Sequence, residues 1–134
     1  MYEFGRLQQV PLLMKKTKQI SWAEIMRCVK EMVPNLKKLD FENIYAIPRG
    51  GLVAGVMLSH RLDIPLIIDK SLIGGKTLLV DDIVDSGKEM KKWRARYPYL
   101  AFVSLYERYN SEIKPDLSGL EILHDYYLIF PWES

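Results

Sequence analysis

The chain has 134 residues, with 19 Lys and Arg against 17 Asp and Glu, for a net charge of +2. Hydrophobic residues make up 49% and charged residues 27%, proportions that exclude a disordered chain and fit one globular domain. No uncharged stretch is long enough to span a bilayer, and the small positive charge is weak for a nucleic-acid binder of this size.

The opening Met1-Tyr2-Glu3-Phe4-Gly5-Arg6 carries no apolar core behind a basic start, so no secretory leader is expected. Cys28 is the only cysteine, which excludes an internal disulfide and suits a reducing, cytoplasmic setting. One Cys and two His also argue against a structural zinc site.

Residues 1–18 mix apolar and basic side chains and are expected to form an extension that packs loosely or covers an edge; the domain is expected over 19–134. Ser21-Trp22-Ala23-Glu24 has capping-box spacing. Trp22, Ile25, Met26, Val29 and Val33 follow at helical spacing, which predicts a helix over Trp22 to Val33, ended by Pro34 and Asn35. Asn43 to Ile47 reads as a strand, stopped by Pro48-Arg49-Gly50-Gly51. Leu52 to Leu62 reads as a helix with Leu52, Val56 and Met57 on one face, and Ala54 and Gly55 permitting close packing. Pro65 to Ile68 is a second strand. Asp69 to Lys76, eight residues, is expected to be little more than a hairpin turn. Gly74-Gly75-Lys76-Thr77 hints at a P-loop, but the earlier glycine is missing and Thr77 opens a strand, so a plain turn is expected.

Thr77 to Val80 is a continuous apolar run of the kind a buried parallel strand shows. Ser86 to Tyr97 reads as a helix that buries Met90, Trp93 and Tyr97 and leaves Lys91, Lys92, Arg94 and Arg96 as a solvated face. Ala101 to Tyr106 and Tyr126 to Phe130 complete the strands. Strand and helix in alternation mean an α/β domain with a mainly parallel sheet flanked by helices. Ligands of such sheets bind beyond the carboxyl ends of the strands, which singles out Pro48–Leu52, Asp81–Glu89 and Arg108.

The segment from Thr77 to Lys88 is the most informative. An apolar strand delivers two carboxylates, Asp81 and Asp82, to its end; a loop with Asp85, Ser86 and Gly87 then enters a helix. Backbone N–H groups at a helix start cradle phosphate, and a glycine lets the backbone come close. Carboxylates beside a phosphate cradle make sense if a ribose diol and Mg²⁺ lie between them. A phospho-receiver domain also has an acidic pair, but after its first strand; here two strands and two helices precede it.

Val80-Asp81-Asp82-Ile83-Val84-Asp85-Ser86-Gly87 resembles the phosphoribosyl pyrophosphate signature of the type I phosphoribosyltransferases. Ile47-Pro48-Arg49-Gly50-Gly51-Leu52 resembles that family's pyrophosphate loop. Ile20-Ser21-Trp22 and the closing Tyr127-Leu128-Ile129-Phe130-Pro131-Trp132-Glu133 resemble its xanthine–guanine branch. The resemblance covers roughly Gln19 to Glu133 and implies that family's single-domain fold with a small C-terminal hood region.

It also implies an activity: transfer of the 5-phosphoribosyl group from phosphoribosyl pyrophosphate to guanine, xanthine or hypoxanthine, with Mg²⁺, in a homodimer or homotetramer. Asp81 and Asp82 would hold the ribose hydroxyls and the metal. Asp85, Ser86, Gly87 and Lys88 would hold the 5′-phosphate, with Glu89 closing that loop. Arg49, Gly50 and Gly51 would take the pyrophosphate, on a turn with a cis peptide before the glycine. Asp85 would act as acid/base on the purine imidazole. Arg108 would supply a cation to the 6-oxo group, with Lys114 as its rival. Tyr127 would stack on the base, or serve as a core residue, and the Leu128 carbonyl would accept from a purine 2-substituent.

Two departures stand out. The family carries a long hood where this chain has only Asp69–Lys76, and Glu89 replaces a hydroxyl residue, so its carboxylate should point away from a phosphate. They support a second reading from another class: a non-catalytic module that binds phosphoribosyl pyrophosphate or a nucleotide.

Overall fold

The computed structural model describes residues 16–133. Its main sheet has five strands: β2 (Asn43–Ala46), β3 (Leu66–Ile67), β4 (Thr77–Val84), β5 (Phe102–Arg108) and β6 (Leu117–Ile122). They lie in the order β3-β2-β4-β5-β6, and every pair is parallel. A small separate sheet pairs β1 (Thr17–Gln19) with β7 (Tyr127–Ile129), also in parallel. Three helices accompany them: α1 (Trp22–Leu36), α2 (Gly51–Leu62) and α3 (Lys88–Arg96).

Each face of the sheet carries its own apolar layer. On one, α1 and α2 bury Ile25, Val29, Met32, Ala54 and Leu58 against Ile44, Leu78, Val80, Val103 and Leu105. On the other, Met90 and Trp93 of α3 pack with Tyr45, Ile47, Leu79 and Phe102. Alternating residues of one strand thus serve both layers, as buried parallel strands require.

The capping box at the start of α1 is formed. Ser21 Oγ accepts from Glu24 N–H at 3.1 Å, and Glu24 Oε2 accepts from Ser21 N–H at 3.0 Å. The helix does not stop at Pro34, however; it runs to Leu36, with Lys37 N–H donating to Val33 O at 2.9 Å. Proline removes one N–H, but Met32 and Leu36 on either side of it are buried, and their packing carries the last turn through. Trp22 is 54% exposed rather than part of the buried stripe, which consists of Ile25, Cys28, Val29, Met32 and Leu36. Cys28 is buried and unbridged, and burial pushes its thiol up.

α2 turns a different face inward from the one expected. Gly51, Ala54, Gly55 and Leu58 are buried, whereas Leu52 and Val56 are exposed. A Cβ added to Gly51 would meet Val80 O at 2.6 Å, so the helix start lies flush on β4 and only small residues fit beneath it. α3 starts at Lys88, two residues later than the spacing predicts, because Gly87 caps it with φ 93°. Met90 and Trp93 are its buried face, as expected, whereas Tyr97 lies just past the helix end, half-buried and stacked on Trp93.

Two further differences affect the site. Residues Leu117–Ile122 form an edge strand that the sequence reading leaves out. The segment after β3 is no hairpin either: β3 and β4 flank β2 in parallel, so residues 68–76 form a crossover that returns to the start of the sheet. A 3₁₀ turn at Lys70–Leu72, capped by Asp69, and a Gly74 N–H to Thr77 Oγ1 bond of 2.9 Å make up this strap. Ile73 packs on the α3 side of the core, and Lys70 Nζ sits 5.0 Å from the Trp93 ring centroid. Most of the extension lies outside the described residues, but Thr17 and Lys18 pair with Tyr127 and Leu128.

Candidate active site

β4 carries its apolar run straight into the acidic pair, so Asp81 and Asp82 belong to the strand itself. Beside them, Ile47 N–H donates to Val80 O at 2.8 Å, and Gly51 N–H reaches back to Ile47 O at 2.9 Å. The Pro48–Arg49 peptide is cis, one residue earlier than the bond directly before the glycine. This turn brings Gly50 onto the Asp82 carboxylate: a Cβ there would lie 2.7 Å from Asp82 Cγ. Arg49, Gly50, Leu52 and Asp82 line a cleft of roughly 850 Å³ together with Trp132 and Glu133.

The two carboxylates differ in setting. Asp81 is pushed up to about 8, chiefly by burial and then by the adjacent charge of Asp82. Its Oδ1 accepts from Asp82 N–H at 2.8 Å, and Asp82 Oδ1 accepts from Ile83 N–H at 2.7 Å. Each carboxylate therefore has a second oxygen with no backbone donor.

The chain then bends through Asp85, Ser86 and Gly87. Ser86 O accepts from Glu112 N–H at 2.8 Å, and Gly87 packs so closely on Ile113 that a Cβ would lie 2.8 Å from its Cγ2. The positive φ of Gly87 and this close approach both call for glycine. Ser86 Oγ accepts from Lys88 N–H at 3.2 Å. The other first-turn N–H groups of α3 have no intrahelical acceptor and open, with Asp81, Asp85, Ser86 and Glu89, onto a cleft of about 120 Å³. Glu89 Oε2 accepts from the Trp93 indole N–H at 3.2 Å, yet the residue stays on the cleft wall, and its charge adds to the upward push on Asp81.

Arg108 ends β5 with its side chain buried. Its Nε donates to Asp85 Oδ1 at 3.0 Å, and Nη1 donates to the carbonyls of His124 at 2.8 Å and Tyr126 at 3.1 Å. Lys114 is used elsewhere: Nζ donates to Arg108 O at 3.0 Å and Tyr109 O at 2.7 Å. Tyr127, 39% exposed, and buried Leu128 follow on β7.

The fold and these clefts can be set beside known proteins. No family model matches the chain. The xanthine-guanine phosphoribosyltransferase of Chromohalobacter salexigens is 28% identical over 135 residues, 85% of this chain and 82% of that protein. That of Desulfotalea psychrophila is 29% identical, covering 90% and 88%. The chain is similar in sequence to the xanthine-guanine branch of the type I phosphoribosyltransferases. The crystal structure of a purine phosphoribosyltransferase from Pyrococcus horikoshii shares the fold, with a TM-score of 0.75 at 22% identity over 89% of this chain and 95% of that one.

Within this phosphoribosyltransferase fold, most residues singled out in the sequence fall into three groups, while Gly51, buried on β4, and Lys88 line neither cleft. Arg49, Gly50 and Asp82 share the large cleft; Asp81, Asp85, Ser86, Gly87 and Glu89 share the small one. Arg108 joins Asp85 to the segment that leads into Tyr127 and Leu128. Trp132 and Glu133 were not assigned to the site, although they line the large cleft. The signal was there in Pro131-Trp132-Glu133: a 3₁₀ turn whose Glu133 Oε1 accepts from Phe130 N–H at 2.8 Å and so folds the tail onto the cleft.

Proposed function

We propose that the protein transfers the 5-phosphoribosyl group from phosphoribosyl pyrophosphate to a 6-oxopurine, giving a nucleoside monophosphate and pyrophosphate. The observation that carries this reading is the junction of Gly50 with Asp82, which sets an anion loop against the acidic pair. The names of the relatives support xanthine or guanine as acceptor; hypoxanthine shares their 6-oxo group.

Phosphate oxygens of the donor bind the α3 N-terminal turn at Ser86, Gly87 and Lys88, and its pyrophosphate binds Arg49, Gly50 and Gly51. Asp81 and Asp82 accept from the ribose hydroxyls. The donor set also fits Mg²⁺: two adjacent carboxylates, one of them pushed up by burial and by its neighbour's charge, a strain that a bound cation would relieve. Among the described residues no group of three or more His, Cys, Asp and Glu could hold a metal, so water and donor oxygens would complete a shell around Asp81 and Asp82. When bound, the ion neutralises charge on the departing pyrophosphate.

In the reaction the bond from the ribose anomeric carbon to the pyrophosphate oxygen breaks, and that carbon bonds to a purine nitrogen. The proton of the purine imidazole passes to Asp85, whose Oδ2 is free while Oδ1 is held by Arg108. Tyr127 stacks on the base, the Leu128 carbonyl takes its 2-substituent, and Arg108, with Nε and Nη1 engaged, has Nη2 left to offer the 6-oxo group.

The second reading, a binding module without turnover, is favoured by the strap. Residues 68–76 pack on the α3 side of the sheet and form no hood over the clefts. One experiment separates the two: the protein, Mg²⁺ and phosphoribosyl pyrophosphate are mixed with guanine, xanthine or hypoxanthine. Pyrophosphate release with at least one base supports the transferase. Donor binding without release from any base supports the module.

The chain is further proposed to act as a homodimer or homotetramer. Leu52 and Val56, exposed on α2 beside the large cleft, support assembly there. Light scattering in solution tests it. A reducing, cytoplasmic compartment suits the lone, buried Cys28. Among the described residues no helix is long and apolar enough to cross a membrane.

A further inference from the structure

We propose that Arg108 is a positioning residue that ties Asp85 to the segment 124–128, so that the acid/base carboxylate and the stacking ring of Tyr127 arrive as one unit. The proposal rests on the transferase reading for the roles of Asp85 and Tyr127. The tie itself rests on geometry alone.

Arg108 is 7% exposed, whereas the Asp85 side chain it holds is 62% exposed. The guanidinium thus works from beneath. It fixes Asp85 Oδ1 at 3.0 Å and leaves Oδ2 unclaimed on a largely exposed side chain. A buried cation needs its donors satisfied, and removing one partner is costly. Arg108 meets that need with one carboxylate and two main-chain carbonyls, those of His124 and Tyr126. These carbonyls belong to the link between β6 and β7, where neither sheet supplies a partner.

The tie has a rigid root and a rigid far end. At the root, Arg108 pairs with Ile122 of β6, and Lys114 Nζ clamps the Arg108 carbonyl at 3.0 Å while lying 3.6 Å from Glu107 and 3.9 Å from Glu121. At the far end, Tyr127 N–H donates to Lys16 O at 2.9 Å, which seats β7 on β1. Tyr126, whose carbonyl Arg108 holds, is the residue immediately before Tyr127. A planar fork can serve Asp85 with one edge and the two carbonyls with the other; a lysine ammonium is a point charge and cannot span both.

The test uses Arg108→Lys and Arg108→Met in the full chain. The first readout is hydrogen exchange in the free protein, which decides the tie whether or not the wild type transfers. The expected result is at least tenfold faster exchange over residues 124–128 in both variants, with the strands β4 and β5 unchanged. The second readout is kinetic: kcat is expected to fall at least tenfold and KM for the base to rise, while affinity for phosphoribosyl pyrophosphate stays within twofold. Arg108→Lys keeps the charge and guards against loss of fold in Arg108→Met. Unchanged exchange over 124–128, or a Lys variant that restores both kcat and exchange, would overturn the proposal. So would a change in KM for the base alone, since that is the mark of a residue that touches only the base.

Discussion

Gly50 and Asp82 lie in separate segments of the chain, yet a Cβ on the glycine would sit 2.7 Å from the aspartate Cγ. Asp82 cannot simply swing aside, because its Oδ1 is bonded to Ile83 N–H at 2.7 Å. Gly50→Ala is therefore expected to displace the carboxylate and weaken phosphoribosyl pyrophosphate binding at least tenfold with little loss of stability. Gly51→Ala meets backbone instead, at Val80 O, and must move α2 off β4; overpacking of this kind costs about 1–3 kcal/mol. Calorimetric titration and urea unfolding of the two variants check the contrast. Equal loss of stability in both would show that the Asp82 carboxylate does not yield to the added Cβ.

Asp81 gives the free protein a pH dependence of definite sign. Burial, and then Asp82, raise its folded pKa to about 8, above the ordinary carboxylate value. Between those two values the folded state holds a proton that the unfolded state has lost. Stability from this group is thus full in acid and falls as pH rises, by at most ~1.4 kcal/mol per unit for one proton, until it levels above pH 8. Urea midpoints between pH 5.5 and 8.5 are expected to fall less steeply in Asp81→Asn than in the wild type. Parallel curves would mean that Asp81 is ionised throughout. Mg²⁺ with donor should flatten the wild-type slope, since it favours the carboxylate.

The elements that could be read from the sequence were those with strong local signals. The Ser21–Glu24 capping box and the apolar run at Thr77–Val80 depend only on neighbours. β6 has no such signal. Its sequence Leu-Ser-Gly-Leu-Glu-Ile contains a residue that weakens strands, and Gly119 is there because Cys28 and Leu105 press on it: a Cβ would lie 2.6 Å from Cys28 Cβ. Pairing with β5 makes it a strand, and that is tertiary information. The buried face of α2 escapes the hydrophobic pattern for a related reason, since what it buries is set by the closeness of β4 rather than by side-chain size. In the site, the acidic pair and the Ser86–Gly87 turn are contiguous and stand out as a motif. The bond of Arg108 to Asp85 joins residues 23 apart, and nothing local announces it.

The strap offers a control for these effects. Gly74 and Gly75 have ordinary φ values, and a Cβ on either would meet no atom within 4 Å. Gly75→Ala should therefore leave stability unchanged or raise it by about 0.4–1 kcal/mol, through lost freedom of the unfolded chain. A thermal melt decides. Marked destabilisation would mean that residues 68–76 need glycine for a conformation other than the one described.

Tyr127 separates stacking from core packing. At 39% exposure on a three-residue strand it contributes little to the core. If it stacks on the base, Tyr127→Ala should lose about 1–3 kcal/mol of base affinity, roughly 5- to 150-fold in KM, while donor affinity is kept. If it is a core residue, the melting temperature falls instead and KM for the base holds. The two outcomes exclude one another, so one variant settles the role.

Asp85→Asn tests the proton transfer most directly. The amide oxygen can still accept from Arg108 Nε, so the tie to residues 124–128 and the position of the side chain should survive. What is lost is the basic oxygen opposite the purine imidazole. Turnover should fall by about 10²–10⁴, the usual contribution of general acid–base catalysis, with donor affinity within twofold of the wild type. Steady-state rates and a donor titration on the same preparation read both quantities. A parallel loss of donor affinity and rate would instead place Asp85 among the groups that hold the sugar phosphate. The amide is isosteric and keeps the Arg108 contact, so a fall in rate alone can be assigned to the missing base and not to a displaced loop.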